Sequence, residues 1–222
     1  MKKTLKRLAL LTVAMVLGFA SCEDDFGPEH DRGNNAGGGA TTGTTNGHDW
    51  VDLGLPSGTK WATCNIGANA PEGYGNYYAW GETTTKSSYT EDNSRTYKVS
   101  MNDISGNATY DAARANWGGS WRMPTEAEML ELYNNCTWTW TTQNGVNGYE
   151  VTGPNGNSIF LPAAGFCDGS SRYRIGEYGN YWSSTPGGSY TDYAYDLYFY
   201  SGYLSVFWFN RYRGYTVRPV SD

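Results

Sequence analysis

Thr125-Glu126-Ala127-Glu128-Met129-Leu130-Glu131-Leu132-Tyr133-Asn134-Asn135 and, after Cys136-Thr137, Trp138-Thr139-Trp140-Thr141-Thr142 carry the reading that decides the fold class. Pro124 precedes the first stretch, Thr125 can cap a helix, and Glu128 stands three residues further on. That is a capping box, in which each side chain satisfies an orphan backbone N–H of the other. The spacing predicts a helix over Thr125–Asn135, with Met129, Leu130, Leu132 and Tyr133 as its buried face. The second stretch alternates Trp with Thr, the period-two pattern of a half-buried strand. A capped helix running straight into a strand points to helices packed beside an antiparallel sheet.

Working outward from there, turn signals delimit further strands. Asn144-Gly145 and Asn147-Gly148 mark turns, and Tyr149–Thr152 and Ser158–Leu161 flank Pro154-Asn155-Gly156 as a hairpin. Upstream, Trp50–Leu55 and Lys60–Ile66 read as strands around Pro56-Ser57-Gly58, and Asp111–Trp117 as a short helix stopped by Gly118-Gly119. Thr83–Ser105 is a polar surface excursion and Ala163–Asn180 a loop. Tyr193–Tyr200, Tyr203–Phe209 and Tyr215–Val220 are the closing strands. The fold class expected is α+β: two short helices, then a twisted antiparallel sheet with long loops.

Composition agrees with a turn-rich sheet protein. The 222 residues include 29 Gly and 19 Tyr, with only 17% charged residues, which argues against a helical bundle. Met1–Arg7 is basic, Leu8–Ala20 is apolar, and Ser21-Cys22 follows. This reads as a lipoprotein signal peptide over residues 1–21, with Cys22 as the lipidated N-terminus. Its apolar run is short of the ~20 residues that span a bilayer. Glu23-Asp24-Asp25 resembles the export signal that sends Bacteroidota lipoproteins to the outer face of the outer membrane. Residues 22–47, rich in Gly, Thr and Asn, read as a flexible tether, and residues 48–222 as the head. Loss of the leader removes four bases and leaves 12 against 22 acids, a net charge of −10. Such a chain has no basic surface for nucleic acid.

Three cysteines remain in the head. Cys64 and Cys136 are expected as neighbours, either bridged or simply buried, with Cys167 as the thiol left over in a Gly/Ser-rich loop. With His30 and His48 the only histidines, neither a zinc site nor a Ser–His–Asp triad is expected. No phosphate loop occurs: Gly37-Gly38-Gly39 lies in the tether without a strand–helix unit. No cofactor, metal or catalytic residue is assigned.

The last third is richest in binding signals. Eleven of the 19 tyrosines fall between Tyr173 and Tyr215. Along Tyr195–Ser201, alternation places Tyr195, Leu197 and Phe199 on one face and Asp196, Tyr198 and Tyr200 on the other. The Leu197 and Phe199 face is the natural core, so Asp196, Tyr198 and Tyr200 are expected outward. Tyrosine gives a large contact area at low entropic cost and adaptable hydrogen bonding, as in antibody loops. The candidate ligand-binding residues are Tyr190, Asp192, Asp196, Tyr198, Tyr200, Tyr203, Ser205, Phe207 and Arg213, joined by Arg172, Tyr173, Arg174 and Tyr178.

Several ordered blocks also resemble a known family. They are Val51-Asp52-Leu53-Gly54-Leu55-Pro56-Ser57-Gly58-Thr59-Lys60-Trp61-Ala62, Trp121-Arg122-Met123-Pro124-Thr125-Glu126-Ala127-Glu128, Gly156–Gly165, Tyr181-Trp182-Ser183-Ser184-Thr185 and Val217-Arg218-Pro219-Val220. Together, over about His48–Val220, the chain resembles the Fibrobacter succinogenes major paralogous domain. The resemblance implies a C-type-lectin-like fold, related to formylglycine-generating enzymes and to the variable proteins of diversity-generating retroelements. Those enzymes need two redox-active cysteines late in the chain, and no cysteine follows Cys167 here. The calcium-and-sugar motifs of animal C-type lectins are also missing. The Tyr, Asp, Ser, Phe and Arg at the candidate positions are all reachable from an AAC codon by changes at its adenines, the changes such retroelements make. Arg211, Tyr212, Gly214, Val217 and Arg218 fit the family's closing pattern as framework. The function expected is a non-catalytic, lipid-anchored outer-membrane receptor, exposed at the cell surface, for an external protein or glycan. The alternative is a structural or adhesin subunit with a fixed partner.

Overall fold

The computed structural model describes residues 41–222. Strand β1 (Thr42–Thr45) turns through Asn46-Gly47 into β2 (His48–Asp52), which pairs with β3 (Lys60–Ala62). Asn46 and Gly47 both take positive φ, 46° and 80°, as a two-residue hairpin loop requires. The head therefore begins before His48: Thr42–Thr45, expected in the tether, are a paired strand. The leader, Cys22 and most of the tether lie outside the described residues.

Helix α1 (Ala112–Trp117) is capped by Asp111, whose carboxylate accepts from the N–H groups of Ala113 and Arg114. Helix α2 (Glu126–Asn135) carries the expected Thr125–Glu128 capping box. Its buried face is narrower than the spacing suggested. Met129 and Leu132 are buried, whereas Leu130 and Tyr133 are exposed. Glu131 of α2 accepts from both the N–H and the hydroxyl of Ser57. That contact ties the Pro56-Ser57-Gly58 turn to the helix.

After α2 come β4 (Thr137–Gln143), β5 (Val146–Thr152) and β6 (Ser158–Pro162), an antiparallel sheet in that order. Next is the small ribbon β7 (Phe166–Asp168) and β8 (Ser171–Tyr173). Strands β9 (Tyr178–Pro186), β10 (Tyr193–Tyr200) and β11 (Tyr203–Asn210) form a third sheet with β10 central. Finally β12 (Val220–Ser221) pairs with β3 and closes a four-stranded sheet. The expected strand over Tyr215–Val220 reduces to this last pair and to single bridges from Tyr215 and Thr216. The fold class is α+β, with two α-helices among the described residues.

Two apolar cores flank the third sheet. One joins Met129 and Leu132 of α2 to Leu197 and Phe199 of β10, with Trp61, Val151 and Leu161. The other holds Trp80, Trp121, Trp182, Tyr215 and Val217 on the sheet's opposite side. Much of its surroundings is irregular backbone: between Thr63 and Asp111 the only regular element is a single 3₁₀ turn at Glu91–Asn93. Buried irregular backbone leaves carbonyls without ladder partners. Two buried arginines supply the donors. Arg218 donates to the carbonyls of Ala62, Thr63 and Phe160 and to the Asn65 side chain. Arg211 donates to the carbonyls of Tyr193, Thr96 and Val99 and lies 4.3 Å above the Trp80 ring. Burial pulls the Arg211 guanidinium down to about 10, so it stays charged at neutral pH. Arginine suits this task because its planar fork presents five donors in fixed directions.

Candidate ligand-binding face

The third sheet positions the tyrosines by register. Tyr200 faces Tyr178 on β9 and Tyr203 on β11, and Tyr198 faces Asn180 and Ser205. Leu197 and Phe199 point the other way, into the core. Gly179, opposite Phe199, has no room for a side chain, because a Cβ there would overlap the Phe199 ring. That absence lets the ring lie flat against the sheet.

On the outer face the rings form one array. Tyr178 stacks on Tyr200 at 5.4 Å, and Tyr200 on Tyr203 at 5.0 Å with planes 10° apart. Tyr198 meets Tyr178 edge-on at 5.7 Å and touches Tyr200 and Tyr203. The Arg174 guanidinium lies 5.3 Å over Tyr178 and is paired with Glu177 at 3.0 Å. Tyr203 and Phe207 are the most exposed rings on this face, and Tyr178, Tyr198, Tyr200 and Ser205 are half-buried. Burial, helped by the neighbouring tyrosines, pushes the Tyr198 hydroxyl up to about 12, so it remains a donor at neutral pH. Because Tyr178, Tyr200 and Tyr203 stack in succession, much of their ring face is covered, and edges and hydroxyls are presented beside the exposed Tyr203 and Phe207 rings.

Asp196 departs from expectation. Its register puts it on the outer side, yet it is fully buried. The lower half of that side is covered by the second core, which includes Trp182, Ala194 and Tyr215. One Asp196 oxygen accepts from Asn180 Nδ2 at 3.0 Å. The other oxygen, and the Asn180 amide oxygen, have no donor among the described residues. Burial holds the Asp196 carboxyl well above the ordinary 3.8. It is therefore a support beneath the face, not a contact on it.

Other candidates lie apart from the array. Tyr190 is exposed but stacks on Trp208, whose register places it on the opposite side of the sheet from Tyr198. Asp192 is half-buried in the same β9–β10 connection, and its carbonyl accepts from the Arg211 N–H. Tyr173 stacks on Phe166, whose ring also carries the Arg213 guanidinium at 5.3 Å. Arg213 is paired with Asp168 at 3.3 Å. Arg172 is exposed and lines a separate pocket against Tyr77. Of thirteen candidates, the structure unites Arg174, Tyr178, Tyr198, Tyr200, Tyr203, Ser205 and Phe207. The residues that sequence reasoning missed are Asn180, the partner of Asp196, and Phe209, which packs 5.6 Å from Tyr198 at the base of the array.

Cys64, Cys136 and Cys167 are all free thiols, so no Cys64–Cys136 bridge is present. Cys167 lies buried in β7 rather than in a loop, and burial pushes its thiol up to about 11. No group of three or more His, Cys, Asp or Glu side chains among the described residues is arranged to hold a metal. No helix among them is long and apolar enough to cross a membrane. A family model described as a domain of unknown function, DUF8237, matches residues 137–220, which run from β4 to the start of β12 and include the whole array. No curated protein and no solved structure matches the chain.

Proposed function

We propose that the protein is a cell-surface lipoprotein, anchored through Cys22 in the outer membrane, whose head binds an external protein without chemical conversion. The proposal includes a C-type-lectin-like fold and kinship with the Fibrobacter succinogenes major paralogous family. The observation that carries it is the tyrosine array on β9, β10 and β11. A sugar stacks on an open aromatic face, whereas here Tyr178 and Tyr200 are covered by neighbouring rings and by Arg174, and only Tyr203 and Phe207 are markedly exposed. Ring edges with hydroxyls suit the mixed polar and apolar surface of a protein partner. In such interfaces a few buried aromatics carry most of the energy. Retroelement diversification of the array is part of the same reading, at Tyr178, Tyr198, Tyr200, Tyr203, Ser205 and Phe207. Buried Asp196 falls outside that set.

The test is photocrosslinking in living cells of the source organism. A photoreactive residue at Tyr203 or Phe207 should give a discrete protein adduct, and one at Val99, which is also exposed, should not. The Tyr198→Ala/Tyr200→Ala variant should lose the Tyr203 adduct while remaining cooperatively folded. Identical patterns at Val99 and Tyr203, or no adduct at either, would remove the basis for the reading. Cys22→Ser should release the chain from the membrane. A near-copy of the β9–β11 codons beside a reverse transcriptase gene, differing only at adenines, is the expected genomic signature; its absence makes the array a fixed surface.

A further inference from the structure

Beside the β7–β8 ribbon lies a pocket of about 300 Å³, at the small end of the range for ligand sites. It shares no lining residue with the tyrosine array. Three segments build it: Gly75–Tyr77, Thr85–Tyr89 and the ribbon residues Cys167–Arg172.

Its floor is rigid because its tyrosine hydroxyls are already engaged. Tyr77 donates to the Ala164 carbonyl at 2.5 Å. Tyr89 donates to the Tyr77 carbonyl at 2.6 Å and accepts from the Lys86 N–H at 3.2 Å. The Tyr89–Gly169 bridge holds the ribbon against this loop. Lys86, although cationic, is committed: its ammonium contacts Glu82 at 3.0 Å and both oxygens of Asn93, at 3.1 and 2.9 Å.

Arg172 differs. Its guanidinium lies 5.2 Å from the centre of the Tyr77 ring, and it enters none of the ion pairs among the described residues. Around it the lining is hydroxyl and amide: Thr85, Ser87, Ser170 and Asn76. A positive charge held against an aromatic ring, with no carboxylate paired to it among the described residues and only the Cys167 thiol as a side-chain hydrogen-bond neighbour, is the feature that takes up a carboxylate by two parallel hydrogen bonds. The hydroxyl and amide lining, with little apolar wall, matches a ligand that is itself rich in hydroxyls.

We infer that this pocket binds a small polyhydroxylated molecule carrying one carboxylate, of the sugar-acid class, with Arg172 holding the carboxylate and Thr85, Ser87 and Ser170 the hydroxyls. The site is separate from the protein-binding face proposed above. It stands or falls on its own measurements.

The test is isothermal titration of the full chain in mild detergent with D-glucuronate, D-galacturonate and N-acetylneuraminate, each with its methyl glycoside, and with neutral D-glucose and D-galactose. At least one acid should bind, and more tightly by about tenfold or more than the neutral sugars, the discrimination expected of one charge-assisted pair. Binding of the methyl glycoside assigns the pocket to the end of a glycan, and binding of the free acid alone assigns it to a soluble metabolite. Arg172→Gln should remove the preference for acid over neutral sugar. Arg172→Lys should keep part of it, since charge remains while the fork is lost. Tyr198→Ala/Tyr200→Ala should leave it unchanged, so failure of the array and failure of the pocket are told apart. The proposal is overturned if no acid binds at concentrations up to about 10 mM, if neutral sugars bind as well as acids, or if folded Arg172→Gln binds as wild type does.

Discussion

Replacing Asp196 by Asn should stabilise the head at neutral pH, an unusual outcome for a fully buried polar position. The carboxyl accepts from the Asn180 Nδ2 side chain, while its second oxygen and the Asn180 oxygen have no side-chain donor among the described residues. When ionised, it leaves two orphaned acceptors and a buried charge. When protonated, it supplies the missing donor, so that acid and amide can close a cyclic pair. Burial accordingly holds its pKa well above 3.8. A raised folded-state pKa means that the native chain binds more protons than the unfolded one. The stabilisation is complete below about pH 4 and drains as the pH climbs toward the folded-state pKa. Over that interval the loss approaches about 1.4 kcal/mol per pH unit. Asn carries the donor at every pH and removes this dependence. Satisfying one buried acceptor is worth about 1–3 kcal/mol. At about 2–4 °C per kcal/mol for a chain of this size, the melting point at pH 7 should rise by roughly 2–12 °C. The assay is thermal unfolding of wild type and Asp196→Asn between pH 4 and pH 8, read as the difference between the two. The gap should widen with pH. A variant less stable than wild type by a constant amount across the range would show instead that Asp196 is ionised, the form that the Arg213 charge favours. Asp196→Ala is the control and should destabilise at every pH, because it orphans the Asn180 amide.

The remaining expectations concern the scaffold. Trp121→Ala or Phe160→Ala, at positions 0% and 4% exposed, should cost about 3–5 kcal/mol by urea unfolding. Loss of Trp121 also frees the Thr45 carbonyl, which its indole N–H reaches at 2.7 Å. Arg218→Lys cannot reproduce a fork that serves three carbonyls and the Asn65 side chain. With one or two acceptors orphaned at about 1–3 kcal/mol each, it should melt well below wild type. An unchanged melting point would mean that water replaces the guanidinium.

What could be read from the sequence was what depends on near neighbours. The α2 cap, the Asn144-Gly145 turn between β4 and β5, and the alternation of Leu197 and Phe199 against Tyr198 and Tyr200 are all local, and each stands in the structure. β1 is hidden in the sequence although Asn46-Gly47 announces its hairpin, because the strand itself is Thr and Gly and resembles a linker. β9 is hidden because Gly179, Ser183 and Ser184 weaken its strand signal. Gly179 is there for a distant reason, the Phe199 ring above it. Asp196 failed for the same kind of reason. Alternation gives two sides of a strand but not what covers each, and here the cover comes from Tyr215 and from segments far earlier in the chain. The scatter of Tyr190, Arg172 and Arg213 away from the array likewise follows from loop paths that no periodicity encodes.

The third sheet separates the residues that hold the fold from those that face outward, and this division can be measured. Leu197 and Phe199 fill one core from β10, while Arg211 fastens the end of the hairpin to the Thr96–Val99 loop. The rings of Tyr198, Tyr200 and Tyr203 contact one another, and Phe207 lies against Trp208 and Phe209 of its own strand. Truncating such partly exposed rings removes less buried area than truncating a core residue, so each change should cost on the order of 1 kcal/mol. Asn180 and Asp196 share the outer side of the sheet with those rings but are buried and bonded to each other, so most replacements there orphan a polar group. A surface-displayed library randomised at Tyr198, Tyr200, Tyr203, Ser205 and Phe207 should therefore retain protease resistance in most members. A matched library randomised at Asn180 and Asp196 should lose it in most, with Asn at position 196 among the survivors. Equal survival of the two libraries would show that the outer side of the sheet is uniform and that burial of the Asn180–Asp196 pair does not set the boundary of the variable face.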